Sequence, residues 1–130
     1  MFEHPNVALL SRLYEAFDKQ DNATLAKLIA EDAIWHVPGS TPISGDHQGH
    51  AAIFAFFAKL AELSSGTFRA ELIDVMASDM HAVAFAEASG TRGERTYEGL
   101  YLLLFRIDKD RIVEARLFND DPEAFEAFWS

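Results

Sequence analysis

Two hydrophobic periods divide the chain. Up to about Leu63 apolar residues recur every three to four positions, as on one face of a helix. Beyond it they recur every second position, as in a strand. A first helix is expected over residues 5–19, with Pro5 suited to its first turn and Val7, Leu10, Leu13, Tyr14 and Phe17 on one stripe. Asp21 or Asn22 caps a short second helix whose apolar side is Leu25, Leu28 and Ile29. Residues 33–37 read as a strand stopped by Pro38 and Gly39, and a loop follows over 40–48. A third helix starts near Gly49, carries Ile53, Phe56, Phe57, Leu60 and Leu63, and ends before Ser64, Ser65 and Gly66. Four strands follow at 67–77, 81–89, 95–107 and 111–119, the last pair joined by a tight turn at Asp108, Lys109 and Asp110. Pro122 opens a terminal segment with Phe125, Phe128 and Trp129 to pack. Helices followed by an unbroken run of strands predict an α+β domain on an antiparallel sheet. No linker, repeat or low-complexity tract divides residues 1–130, so one domain is expected.

The strand around residues 97–105 breaks the alternation, being apolar on both faces. One face can meet the helices and line a pocket. The other needs its own cover, which predicts a symmetric dimer through the outer sheet face. The alternative is cover from the terminal segment within one subunit.

Composition narrows the function. Hydrophobic residues make up 49% of the 130 positions, with 11 Phe, which excludes a disordered chain. The absence of cysteine removes disulfides, thiolate metal sites and a cysteine nucleophile, and fits a cytoplasmic location. A net charge of −10, from 21 acids against 11 bases, argues against nucleic acid and anionic membranes as partners. No apolar run is long enough to span a bilayer, and Met1 to Asn6 lack the look of a signal peptide.

Several local stretches carry a resemblance. They are residues 13–17 (Leu-Tyr-Glu-Ala-Phe), 35–39 (Trp-His-Val-Pro-Gly), Gly45–Gly49 running into Ala52 and Ile53, Phe105–Asp108, Ile112–Arg116, and the ending from Asn119 to Trp129. With the order of elements they make the chain resemble the nuclear transport factor 2-like superfamily, in its SnoaL-like and ketosteroid isomerase-like branch. The resemblance implies a cone-shaped, cystatin-like α+β barrel, a curved sheet wrapped around helices and enclosing a pocket for a small hydrophobic molecule. It implies no particular reaction, because this fold hosts isomerases, cyclases, dehydratases and non-enzymatic domains. Ketosteroid isomerases use an Asp base near the end of the first strand, with a helix-one Tyr and a protonated Asp on the third long strand as the oxyanion hole. Here those positions hold Val37, Leu13 (with Tyr14 beside it) and Leu103, so steroid isomerisation is not expected. The polyketide cyclases of this fold place a general-base Asp late in the chain, where this sequence has Asn119 and Asp120.

The catalytic candidates are therefore Asp120 as base, with Tyr14, Tyr101 or His50 as proton donor. The ligand-binding candidates are Trp35, Val37, Phe57, Leu103 and Asn119; for Trp35 and Val37 plain core packing is the alternative. Buried hydroxyls satisfied by backbone are the alternative for the tyrosines. His36, His47 and His50 are the residues that could form a metal site, with His47 and His50 three apart, but without an acidic third ligand at firm spacing they read as solvated loop histidines, and no metal or cofactor is expected. Asp120 and Asp121 also suit a cap for the final helical turn. Three functions fit. One is an enzyme moving a proton beside the carbonyl of a hydrophobic substrate. Another is a non-catalytic pocket for a hydrophobic ligand, and the last is a dimerisation module.

Overall fold

The computed structural model describes residues 3–130, so Met1 and Phe2, the start of the stretch read for a signal peptide, lie outside the described residues. In chain order the elements are α1 (Pro5–Asp18), α2 (Asn22–Leu28), β1 (Ile29–Val37), β2 (Gly45–Gln48), α3 (Gly49–Leu63), β3 (Arg69–Ala77), β4 (His81–Arg92), β5 (Arg95–Asp108), β6 (Arg111–Asn119) and α4 (Pro122–Trp129). The six strands form one curved sheet in the order β2-β1-β6-β5-β4-β3. It does not close, because β2 and β3 remain edges.

The sheet corrects the sequence reading in two places. β1 runs parallel to β6, with Trp35 opposite Ala115, while every other pair is antiparallel. A strand that meets its neighbour only after α3 and four intervening strands leaves no local trace of its direction. Residues 45–48, expected in a loop, form the edge strand β2, with His36 opposite Asp46 and Trp35 opposite His47. Their side chains are mostly exposed, so no buried alternation marks them.

Helix α1 is turned about its axis from the expected stripe. Its buried residues are Asn6, Leu9, Leu10, Leu13 and Ala16, while Tyr14 and Phe17 are half-buried at the side. Asn6 is drawn inside because its amide donates to the carbonyls of Ser78 (2.8 Å) and Asp79 (3.3 Å) in the β3–β4 turn. The carboxylate of Asp21 caps α2 by accepting from the Thr24 N–H at 3.1 Å.

Alternation along β4 and β5 sets the two sheet faces. Ala82, Ala84, Ala86 and Ala88 point inward, opposite Phe105, Leu103, Tyr101 and Gly99. Small side chains there let α1 pack close against β3 and β4. Helix α4 packs on β5 and buries Phe125, Phe128 and Trp129. Asp121 caps it, accepting from the Ala124 N–H at 3.0 Å. Arg92 and Arg95 hold its far end, donating to the Phe128 carbonyl at 2.7 and 3.3 Å. Glu126 on α4 accepts from the Ser40 N–H at 3.1 Å, tying down the β1–β2 loop. Gly39 passes so close to that carboxylate, with φ 96°, that a Cβ would collide with it.

Candidate functional site

The helices and the inner sheet face leave a cavity between them. Helix α1 contributes Tyr14 and Phe17, and α3 contributes Phe56 and Phe57. From the sheet come Trp35, Tyr97, Tyr101, Leu103, Leu117 and Asn119, and α4 supplies Phe125 and Trp129. The strand residues arrive together because the register demands it: Tyr101 faces Asn119, and Leu103 faces Leu117. The space open to water centres is about 90 Å³, several times the roughly 10–15 Å³ that one water occupies by the same measure. Its walls are largely aromatic. Trp35 meets Phe57 edge-on at 5.2 Å and Phe105 at 5.7 Å, so a flat apolar molecule has ring faces to lie against.

Few polar groups interrupt this lining. The hydroxyls of Tyr14 and Tyr101 lie 2.8 Å apart. Of their two O–H groups one donates within the pair, which leaves the other free for a ligand. Burial pushes the Tyr101 hydroxyl up to about 12, and burial with the neighbouring Tyr101 oxygen raises Tyr14 well above its ordinary value. Both therefore stay protonated at neutral pH and act as donors. Tyr97 is also raised, by burial first and then by the negative charges of Asp121 and Asp120. The amide nitrogen of Asn119 is buried and has no hydrogen-bond partner. Among the described residues that line the cavity there is no carboxylate, imidazole or ammonium group.

Six sequence candidates therefore converge on the cavity: Tyr14, Tyr101, Trp35, Phe57, Leu103 and Asn119. Three do not. Val37 is buried on the same face of β1 as Trp35, but packs outside the cavity lining. Asp120 follows an inward-facing Asn119 and is exposed, its N–H donating to the Leu100 carbonyl at 3.1 Å. His50 faces away as well, with Nε2 2.7 Å from the Ile29 carbonyl and its ring against Phe54. His47 is held likewise, 2.8 Å from the Ile43 carbonyl and stacked on Phe56. Phe68, Phe125 and Trp129 line the cavity without having been marked as site residues. Only the tertiary position of α4 and of the α3–β3 link reveals them.

A second polar cluster lies on the outer sheet face. His36 bridges two strands, with Nδ1 2.7 Å from an Asp46 oxygen on β2 and Nε2 2.7 Å from a Glu114 oxygen on β6. The hydrogen bond from His36, and then that from Arg106, hold the Glu114 carboxyl below its ordinary value.

The family model described as a SnoaL-like domain matches residues 10–115. An uncharacterised protein of Mycobacterium tuberculosis is 27% identical over 131 residues, covering all of both chains. Among solved structures, Bal32a from a soil-derived mobile gene cassette is 33% identical with a TM-score of 0.93, over 96% of each chain. A Xanthomonas campestris protein with a cystatin-like fold is 35% identical with a TM-score of 0.88, over 95% of this chain and 97% of that one. IdmH of Streptomyces antibioticus, described as a putative polyketide cyclase, is 24% identical with a TM-score of 0.75, over 90% and 93%, and shares the fold.

Proposed function

The chain belongs to the SnoaL-like family, within the nuclear transport factor 2-like superfamily, and on that premise we propose that its cavity binds a small, flat, largely apolar molecule carrying one acceptor oxygen. The observation that carries this reading is the Tyr14–Tyr101 hydroxyl pair in an otherwise apolar cavity, with Asn119, whose buried amide nitrogen has no hydrogen-bond partner, opposite Tyr101 in the same wall. A buried donor without an acceptor costs about 1–3 kcal/mol. A ligand carbonyl or phenol oxygen placed between Asn119 and the tyrosines removes that cost and takes the free O–H as well. The apolar walls leave a charged ligand without a counter-ion, so they select against carboxylates and phosphates.

Donation to an acceptor oxygen also polarises it, which is half of the chemistry an enolising enzyme needs. The other half, a base, is not among the groups lining the cavity, and Asp120 is exposed outside that lining. Binding is thus the reading the geometry supports best. A cyclase or isomerase working by proton transfer is the second. Its support is the likeness of fold to IdmH and the nearness of Asp120 and Asp121 to Tyr97.

The test uses prodan, a neutral naphthalene ketone, titrated by fluorescence against its analogue with the ketone reduced to methylene. Tyr101→Phe and Asn119→Leu should each weaken the ketone by about three- to tenfold, the worth of one neutral hydrogen bond, and leave the analogue unchanged. Equal losses for both probes refute the hydrogen-bonding role, and binding of neither refutes the cavity reading. Asp120→Asn should leave prodan affinity unchanged.

We further propose that the outer sheet face pairs two copies of the chain. Leu100, Leu102 and Leu104 on β5 are 37%, 41% and 37% exposed, and Phe118 across from Leu102 is 50% exposed. Half-buried Val83 and Phe85 of β4 continue the patch beside them. Such a contiguous apolar surface on a sheet marks an interface.

A further inference from the structure

A larger cleft opens on the side of the cavity that faces the α1–α2 corner. It runs between that corner, the solvent side of α3 and the start of β3, and offers about 370 Å³ to water centres. That is about four times the 90 Å³ of the inner cavity by the same measure. The two spaces share walls. Phe17, Leu25, Phe57, Leu60, Phe68 and Ala70 line both, so these residues form the wall between them. The partition is a cluster of rings: Phe17 meets Phe57 edge-on at 5.2 Å and Phe68 at 6.2 Å. Phe17, Phe57 and Phe68 are each only half-buried, because their outer sides face the cleft. Ring rotation about χ1 and χ2 opens such a partition without moving backbone.

The chemistry of the cleft differs from that of the cavity. Its outer wall carries Asp18, Gln20, Asn22 and Arg69, one acid and one base with two amides between. Gln20 sits there at φ 55°, closing α1 in the left-handed conformation that usually goes to glycine or asparagine. The Arg69 guanidinium already donates to the carbonyls of Gly66 (3.1 Å) and Phe68 (2.9 Å), which holds it along the rim. The cleft therefore offers several hydrogen-bonding groups and no net charge.

We propose that the cleft is a second compartment of the same ligand site, and that the ligand is elongated and amphipathic. Its flat apolar body lies in the inner cavity. A neutral tail bearing hydroxyl or amide groups passes the Phe17–Phe57–Phe68 partition and lies along Gln20, Asn22 and Arg69. This inference rests on the reading of the inner cavity as a ligand site. It adds the length, polarity and direction of the molecule.

The test compares prodan with a prodan whose amine carries a short, neutral polyhydroxyl amide tail, on the intact protein and on Ala61→Trp. Ala61 lines the cleft and not the cavity. The tailed probe should bind the parent protein at least as tightly as prodan. Ala61→Trp, by filling the cleft, should weaken the tailed probe by about tenfold or more while changing prodan by less than about twofold. Ala58→Trp, on the exposed side of α3, provides the same blockade should Ala61→Trp fail to fold. If the tail weakens binding to the parent, or blockade affects both probes alike or neither, the second compartment is refuted and the cavity reading stands. If prodan itself does not bind, the cavity reading falls and the second compartment with it.

Discussion

All three tyrosines of the chain have hydroxyls held above the ordinary value, each chiefly by burial. A raised phenol favours the folded state as long as it stays protonated. That contribution is whole below pH 10, the unfolded value, and is lost as pH climbs to and through about 12, where Tyr101 titrates. With Tyr97 replaced by Phe, the native protein should show no phenolate absorbance step at pH 10. Ionisation should come late and together with unfolding, as a titration at 295 nm with circular dichroism in parallel would detect. A normal step near 10 would mean that the pair is open to water. At this scale the sequence pointed well to groups on regular strands and helices. Trp35, Tyr101, Leu103 and Asn119 reach the cavity because strand alternation carries them there, and Tyr14 reaches it from the side of α1. Asp120 lies one residue past the end of β6: Asn119, opposite Tyr101, lines the cavity, and Asp120 is exposed in the bend that follows. No local property of an acid tells which of two adjacent positions the register selects.

Among elements, the four long strands and α3 were plain in the sequence because each carries its own period. The edge strand β2 and the parallel seat of β1 were not, since both depend on partners far along the chain. His36 is the side chain that reaches both partners of β1. Its removal should therefore loosen the β2–β1–β6 corner. His36→Ala is expected to cost about 1 kcal/mol at neutral pH, a modest value because Asp46 is largely exposed. It should also alter acid sensitivity. The lowered Glu114 carboxyl contributes stability above its unfolded value, lost as pH falls through the lower folded one. In His36→Ala that part of the slope in acid denaturation should shrink. An unchanged slope would show that Arg106 alone keeps Glu114 ionised.

For the molecule as a whole, the doubly apolar β5 proved to have one face in the cavity and the other bare. The terminal segment, offered as the alternative cover, instead packs inside as α4. If the bare face pairs two copies, Leu102→Glu should convert a dimer into a monomer in sedimentation, with little loss of fold, since this side chain is 41% exposed in the single subunit. A parent protein that sediments as a monomer would refute the pairing. The parallel contact between β1 and β6 has a consequence of another kind, in the order of events as the chain folds. The hairpins β3–β4 and β4–β5 can form from local contacts, but β1 has no sheet to join, apart from the short β2, until the last strand is in place. Trp35 packs against Phe105 and pairs with Ala115, so its burial waits for that final closure. With Trp129 replaced by Phe, the fluorescence of Trp35 should therefore report the slowest phase of refolding. On the ribosome, the N-terminal third of the chain stays unfinished until nearly all of the rest has emerged.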